Sequence, residues 1–165
     1  MNKINNNQSG FMLLEALLGI LIFSMGILAM VGMQAAAISA ATDAQYRSEA
    51  ASLANQIVSR AWVNIDRTTD ATAQASLNTF RYNTGVTADC VFSGGAVDGT
   101  NTVLSSWVDA VTTTASTRLP GAAASMQQIT VDTSAAGMNL VTVTVCWKAP
   151  SDARARKHVL TANVT

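Results

Sequence analysis

A single carboxylate inside an otherwise apolar stretch constrains this chain more than any other feature. Phe11 to Met33 is a 23-residue run interrupted only by Glu15, Ser24 and three glycines. As a helix rising 1.5 Å per residue it spans roughly 34 Å, enough to cross a hydrocarbon core about 30 Å thick. A charged acid in such a segment costs about 3 kcal/mol on insertion scales and is retained only with a partner. No other residue of the run is charged. Cutting the chain between Gly10 and Phe11 supplies that partner, because it creates an amine one helical turn ahead of Glu15. The amine answers Glu15 on the same chain or, in a filament of staggered helices, on the next subunit, and each charge neutralises the other in an apolar core. Gly10 fits a protease pocket that excludes a side chain.

The residues before the cut, MNKINNNQSG, are polar and carry Lys3. Positive charge on that side, and none until Arg47 on the other, predicts a cytoplasmic N-terminus and a single membrane crossing. Helical patterning continues beyond the run. Ile38, Ala41, Tyr46, Ala50, Leu53, Ile57, Ala61 and Ile65 form an apolar stripe, with Gln45, Arg47, Glu49, Gln56 and Arg60 around the other side. One helix is therefore expected from about Phe11 to Ile65, on the order of 80 Å long. Residues 1–10 read as a leader, 11–33 as a transmembrane or filament-core segment, and 34–165 as a periplasmic globular domain.

Residues 66–101 read as a long connection with a short strand at Phe80 to Tyr82 and a turn-rich SGGAVDGTN. Leu104, Trp107, Val108, Val111 and Ala115 predict a helix between Thr102 and Leu119, closed by Pro120-Gly121. Three alternating runs, Gln128–Asp132, Leu140–Lys148 and Lys157–Val164, predict antiparallel strands, the last two joined by a turn at Ala149 to Asp152. Val141, Val143, Val145 and Trp147 share one face of the middle strand and Thr142, Thr144 and Cys146 the other. The expected fold class is α+β, a long helix packed on a small antiparallel sheet, with Trp62, Trp107 and Trp147 as core aromatics where the two meet.

Charged residues are only 12% of the chain, ten basic against ten acidic, which disfavours a nucleic-acid partner. The basic group Arg154, Arg156, Lys157 and His158 reads as a solvated hairpin tip. Asp89 and Asp98 flank a glycine-rich loop, but two acids so far apart read as solvent-facing and not as a calcium site. With one histidine, no CxxC pair and no nucleophile–base spacing, nothing indicates catalysis, a metal or a cofactor. A secretory signal peptide cut near Ala35 to Ala37 is disfavoured, since its core would be too long and would contain an acid.

Gly10-Phe11-Met12-Leu13-Leu14-Glu15 followed by an apolar stretch resembles the class III signal of type IV prepilins. The resemblance implies that a membrane-embedded aspartyl peptidase cuts after Gly10 and then methylates the new N-terminal residue, Phe11. The stretch LLGILIFSMGILAMVGMQ, closing on Gln34, with Ser106-Trp107, Leu119-Pro120-Gly121 and Thr142-Val143-Thr144-Val145-Cys146-Trp147, is similar to minor pilins of the PilV type. That similarity implies a type IV pilin-like fold and assembly with other minor and major pilins into a complex that primes an extracellular fibre and carries a tip adhesin. Adhesion, twitching motility and DNA import are the outputs of such fibres. Major pilins commonly carry a helix-kinking proline seventeen residues after the glutamate, where this chain has Gly32. A type II secretion pseudopilin shares the same N-terminus. A membrane-anchored or secreted binding module outside any fibre is the alternative of a different kind.

In the compartment this resemblance implies, disulfides persist. Cys90 and Cys146 would then close a loop of about 57 residues, worth roughly 4 kcal/mol in the chain-entropy description, whereas the other arrangement is two buried free thiols.

Overall fold

In a computed structural model of the chain, which describes residues 9–114, 119–134, 139–150 and 152–164, helix α1 runs unbroken from Ser9 to Asn64. No proline interrupts it, and Gly19, Gly26 and Gly32 have open space where a Cβ would stand. Ser24 and Thr42 turn their hydroxyls back onto the carbonyls of Ile20 and Ile38, at 2.7 and 2.8 Å, so neither leaves a polar group unanswered. Most of the leader, residues 1–8, lies outside the described residues, while Ser9 and Gly10 open the helix.

The chain divides into two units, Met1–Ala44 and Gln45–Thr165. In the first, every α1 residue from Phe11 to Ala41 is exposed. In the second, α1 buries a stripe made of Ala50, Leu53, Ala54, Ile57, Val58 and Ala61. The apolar stripe expected from Ile38 onward thus changes character along its length. Ile38 is 68% exposed and Ala41 is exposed, Tyr46 is half-buried, and Ala50 is fully buried. Composition shifts at Met33, but the packed unit begins only at Gln45.

After α1 the chain forms α2, Asp70–Asn78. This segment was expected to be irregular, because its one large apolar residue, Leu77, gives no periodicity. Its start is nonetheless encoded. Thr69 accepts from the Thr72 backbone N–H and Thr72 answers the Thr69 N–H, a reciprocal capping box, with Asp70 in the first turn. Phe80 to Tyr82 is not a strand. Phe80 is buried in a turn, and Tyr82 makes isolated bridges to Ala96 and Ile129. Two short strands follow, β1 (Gly85–Ala88) and β2 (Val91–Ser93), paired as an antiparallel hairpin that the sequence patterning had not indicated.

Helix α3 covers Thr102–Thr112, its N-terminus capped by the Asn101 side chain accepting from the Val103 and Leu104 N–H groups. The β-branched residues at Thr112 and Thr113 end it short of the expected Leu119, and Ala115 lies outside the described residues. Strands β3 (Gln127–Asp132), β4 (Leu140–Trp147) and β5 (Arg156–Asn163) form one antiparallel sheet in the order β3-β4-β5. These bounds match the expected runs to within one residue.

One face of the sheet, carrying Val141, Val143, Val145 and Trp147, shares a single core with the α1 stripe, Leu77, Phe80, Leu104, Trp107 and Val111. The Trp107 indole N–H donates to the Leu53 carbonyl at 2.8 Å, fastening α3 to α1. Trp147 is buried as well. Trp62 is not: it is 39% exposed, with the Arg67 guanidinium 5.4 Å from its ring centroid, so the expectation that all three tryptophans fill the core holds for two. The architecture is α+β, as the patterning implied.

Burial separates two isoleucines of one helix. Ile57→Ala is expected to lower stability by about 2–5 kcal/mol, because it empties a core site. Ile38→Ala is expected to change it by less than about 0.5 kcal/mol. Chemical unfolding of the full chain in detergent measures both, and equal losses would contradict the burial boundary.

Four aspartates, Asp66, Asp98, Asp132 and Asp152, are held below the usual carboxylate range. Hydrogen bonds from Thr68, Thr100, Ser134 and Arg156, respectively, are the principal causes. Groups with depressed pKa values contribute stability above the unfolded-state value and lose it as pH falls through the folded one. Unfolding midpoints should therefore stay level down to about pH 5 and decline below about pH 4. A midpoint that rises on acidification would contradict these contacts.

Candidate assembly site and the covered sheet face

Gly10, Phe11 and Glu15 all fall in the first turns of α1. The Gly10–Phe11 bond lies where backbone N–H groups have no intrahelical acceptor, so opening the helix there costs little. Phe11 and Glu15 are four positions apart, which places them on one side of the helix a single turn from each other. Around them Phe11, Met12, Leu13, Leu17, Ile20 and Ile22 are each more than 60% exposed, an apolar surface far too continuous for a monomer in water. Among the described residues no cation meets Glu15. The helix is long and apolar enough to cross a membrane.

The second site predicted from sequence is the cysteine pair, and the structure brings it together. Cys90 and Cys146 are disulfide-bonded, with Cα atoms 5.9 Å apart. Both are buried, and with Phe92 they form a separate small core flanked by Met126 and Ala155. This second core occupies the sheet face that alternation had assigned to Thr142, Thr144 and Cys146. Thr142 is half-buried, but Thr144 and Cys146 are buried, because the β1–β2 hairpin and the short 3-10 turn at Ala124–Met126 cover that end of β4.

Three amide side chains that sequence reasoning passed over hold this cover in place. Asn83 is buried in the left-handed region, at φ 48°. Its side-chain nitrogen donates to the Ala124 and Gln127 carbonyls at 2.8 and 2.9 Å, and its side-chain oxygen accepts from Gly95 N–H at 2.9 Å. Its own carbonyl accepts from the Gln128 side chain. Gln127, fully buried, brackets the Cys146 peptide: Nε2 donates to the Cys146 carbonyl at 2.9 Å and Oε1 accepts from its N–H at 3.2 Å. The available signal was Asn83 itself, two residues before Gly85 in a polar stretch, since asparagine tolerates the left-handed conformation of turns.

The remaining candidates are local. Lys157 pairs with Asp89 at 2.8 Å and Arg156 with Asp152 at 2.8 Å, so half of the basic group is already neutralised. Asp98 accepts from the Thr100 N–H and hydroxyl, capping its own turn. No group of three metal-ligating side chains occurs among the described residues.

Asn83→Ala removes both the hydrogen bonds and a residue type that tolerates positive φ, whereas Asn83→Gly removes only the bonds. Both should destabilise by roughly 2–4 kcal/mol, with the alanine variant worse by about 1 kcal/mol. Thermal unfolding of the two proteins tests this, and an alanine variant as stable as the glycine variant would contradict the strained-backbone reading.

The chain combines a long N-terminal apolar helix with a small antiparallel sheet, consistent with a pilin-like architecture. No protein-family model, curated protein or solved structure matches it.

Proposed function

We propose that this chain is a minor pilin, a non-enzymatic structural subunit that enters the inner membrane and is drawn into a type IV pilus. The observation that carries the reading is Glu15, one acid in a 23-residue apolar segment and one turn from the residue that follows Gly10. A prepilin peptidase removes the leader after Gly10 and methylates Phe11. The secondary amine so formed stays cationic at neutral pH. In the fibre, the Phe11 to Met33 segments of neighbouring subunits pack side by side, and each Glu15 answers a Phe11 amine. Apolar residues exposed all round that segment are covered by other helices. The partners are other minor and major pilins, with the globular unit in the periplasm before assembly and outside the cell after it.

The carboxylate drives assembly, not insertion. A helix carrying a neutral residue at position 15 enters the membrane at least as readily, but leaves the amine without its counter-charge in the fibre core. Glu15→Gln should therefore leave the membrane-bound pool intact and lower incorporation into sheared fibres by about tenfold or more. Immunoblots of membrane and fibre fractions measure both. Wild-type incorporation of the variant would contradict the reading.

A further inference from the structure

The disulfide is buried, which raises the question of how it forms. Cys90 is 2% exposed and Cys146 fully buried, so neither sulfur is open to a protein-sized oxidant once the hairpin is seated. The hairpin is the element able to move. Its strands have four and three residues with a register irregularity between Val86 and Ala88, and a hairpin that short is marginal without a covalent tie. Cys146 cannot move comparably. It stands in the central strand, paired to β5, and its peptide is bracketed by Gln127. With the hairpin lifted, Cys146 loses the cover of Cys90 and Phe92 and opens on that side from a fixed position beside Met126, while Cys90 travels with the hairpin.

A cation stands beside the fixed sulfur. Lys157 is the cross-strand partner of Cys146, and side chains so paired have Cβ atoms roughly 5 Å apart on one face. In the closed form the Lys157 ammonium is taken up by Asp89, the neighbour of Cys90 on the hairpin. Lifting the hairpin withdraws that carboxylate and leaves the ammonium next to the Cys146 thiol, where it favours the thiolate. The other side chains around the sulfurs, Phe92, Met126 and Ala155, do not titrate, and the nearby Arg156 is engaged by Asp152.

We propose that Cys146, activated by Lys157, is the nucleophile through which this chain accepts a disulfide from a thiol–disulfide oxidant, and that Cys90 resolves the product as the hairpin closes. The Cys146 thiolate attacks one sulfur of the oxidant's disulfide, forming a mixed disulfide and expelling the other sulfur as a thiolate. The Cys90 thiolate then attacks the Cys146 sulfur, forming the internal bond and releasing the oxidant's second thiolate. Two thiols of the chain lose two electrons and two protons, and the oxidant's disulfide is reduced to two thiols. Closure returns Asp89 to Lys157 and buries the new bond. The scheme requires only that the chain meet a disulfide donor and is independent of fibre assembly.

Glutathione disulfide serves as the probe, with full-length single-cysteine variants in detergent and capture followed by mass spectrometry. Lowering a thiol's pKa by about one unit raises its thiolate fraction about tenfold near neutrality and lowers its intrinsic reactivity about threefold, a net gain of roughly threefold. Cys90→Ala, which leaves Cys146, should therefore be captured at least about threefold faster than Cys146→Ala, which leaves Cys90. Adding Lys157→Ala to the Cys90→Ala protein should abolish that advantage and move the pH–rate midpoint upward, while Lys157→Arg preserves both. Faster capture at Cys90, or indifference to Lys157→Ala, overturns the proposal. Hydrogen exchange on the reduced wild-type chain provides the independent check. Residues 83–96 should lose protection while β4 keeps it, and a hairpin as protected as in the oxidised chain also overturns the proposal.

Discussion

Burial of the stripe from Ala50 to Ala61 in a common core with Val141, Val143, Val145 and Trp147 is the contact on which the second unit depends. Helix α1 satisfies its own backbone, so what it lacks is a place for its apolar side chains. From Gln45 onward the sheet, α2 and α3 supply one. Before that point nothing within the unit does, and the apolar surface is left for another environment. One uninterrupted helix thus passes from a stretch that suits lipid or other helices to a stretch that suits its own fold. The absence of proline allows that continuity.

Strand β4 is buried on both faces from Val143 to Trp147, and the two faces are built from different materials. Toward α1 the contacts are aliphatic and aromatic. Toward the hairpin they are a disulfide, one phenylalanine and a set of buried amides in which Asn83 and Gln127 satisfy backbone groups that would otherwise lie orphaned. Buried amides of this kind stabilise modestly when complete and are costly when broken. They fix where a weak hairpin sits more than they add to the strength of the fold.

This difference explains what could be read in the sequence. Helix α1 and strands β3 to β5 announce themselves through long apolar periods of 3.6 and 2, and their bounds emerged almost as expected. Helix α2 and the hairpin are short and mostly polar, and their positions come from contacts remote in sequence, such as Asn83 to Gln127 and Cys90 to Cys146. Alternation along β4 could not reveal that Thr144 and Cys146 would be covered, because the cover comes from a segment with no period of its own. Trp62 misled for a related reason: it lies on the helix beside Ala61, just off the buried stripe, and Arg67 stacks on it in solvent. The spacing of Gly10, Phe11 and Glu15 could be read directly, since a helix sets residues four positions apart one turn away from each other.

Glu15 and the amine that cleavage would place at Phe11 remain the hinge between fold and function. A helix apolar all round can lie in a membrane without any acid. It has reason to retain one there only if a positive charge arrives later. The most direct measurement is the intact mass of the protein recovered from cell membranes, with its N-terminal residue read by fragmentation. The account predicts a chain that begins at Phe11 and carries one methyl group on its amine. A chain that retains Met1 to Gly10, or that begins near Ala37, would contradict it.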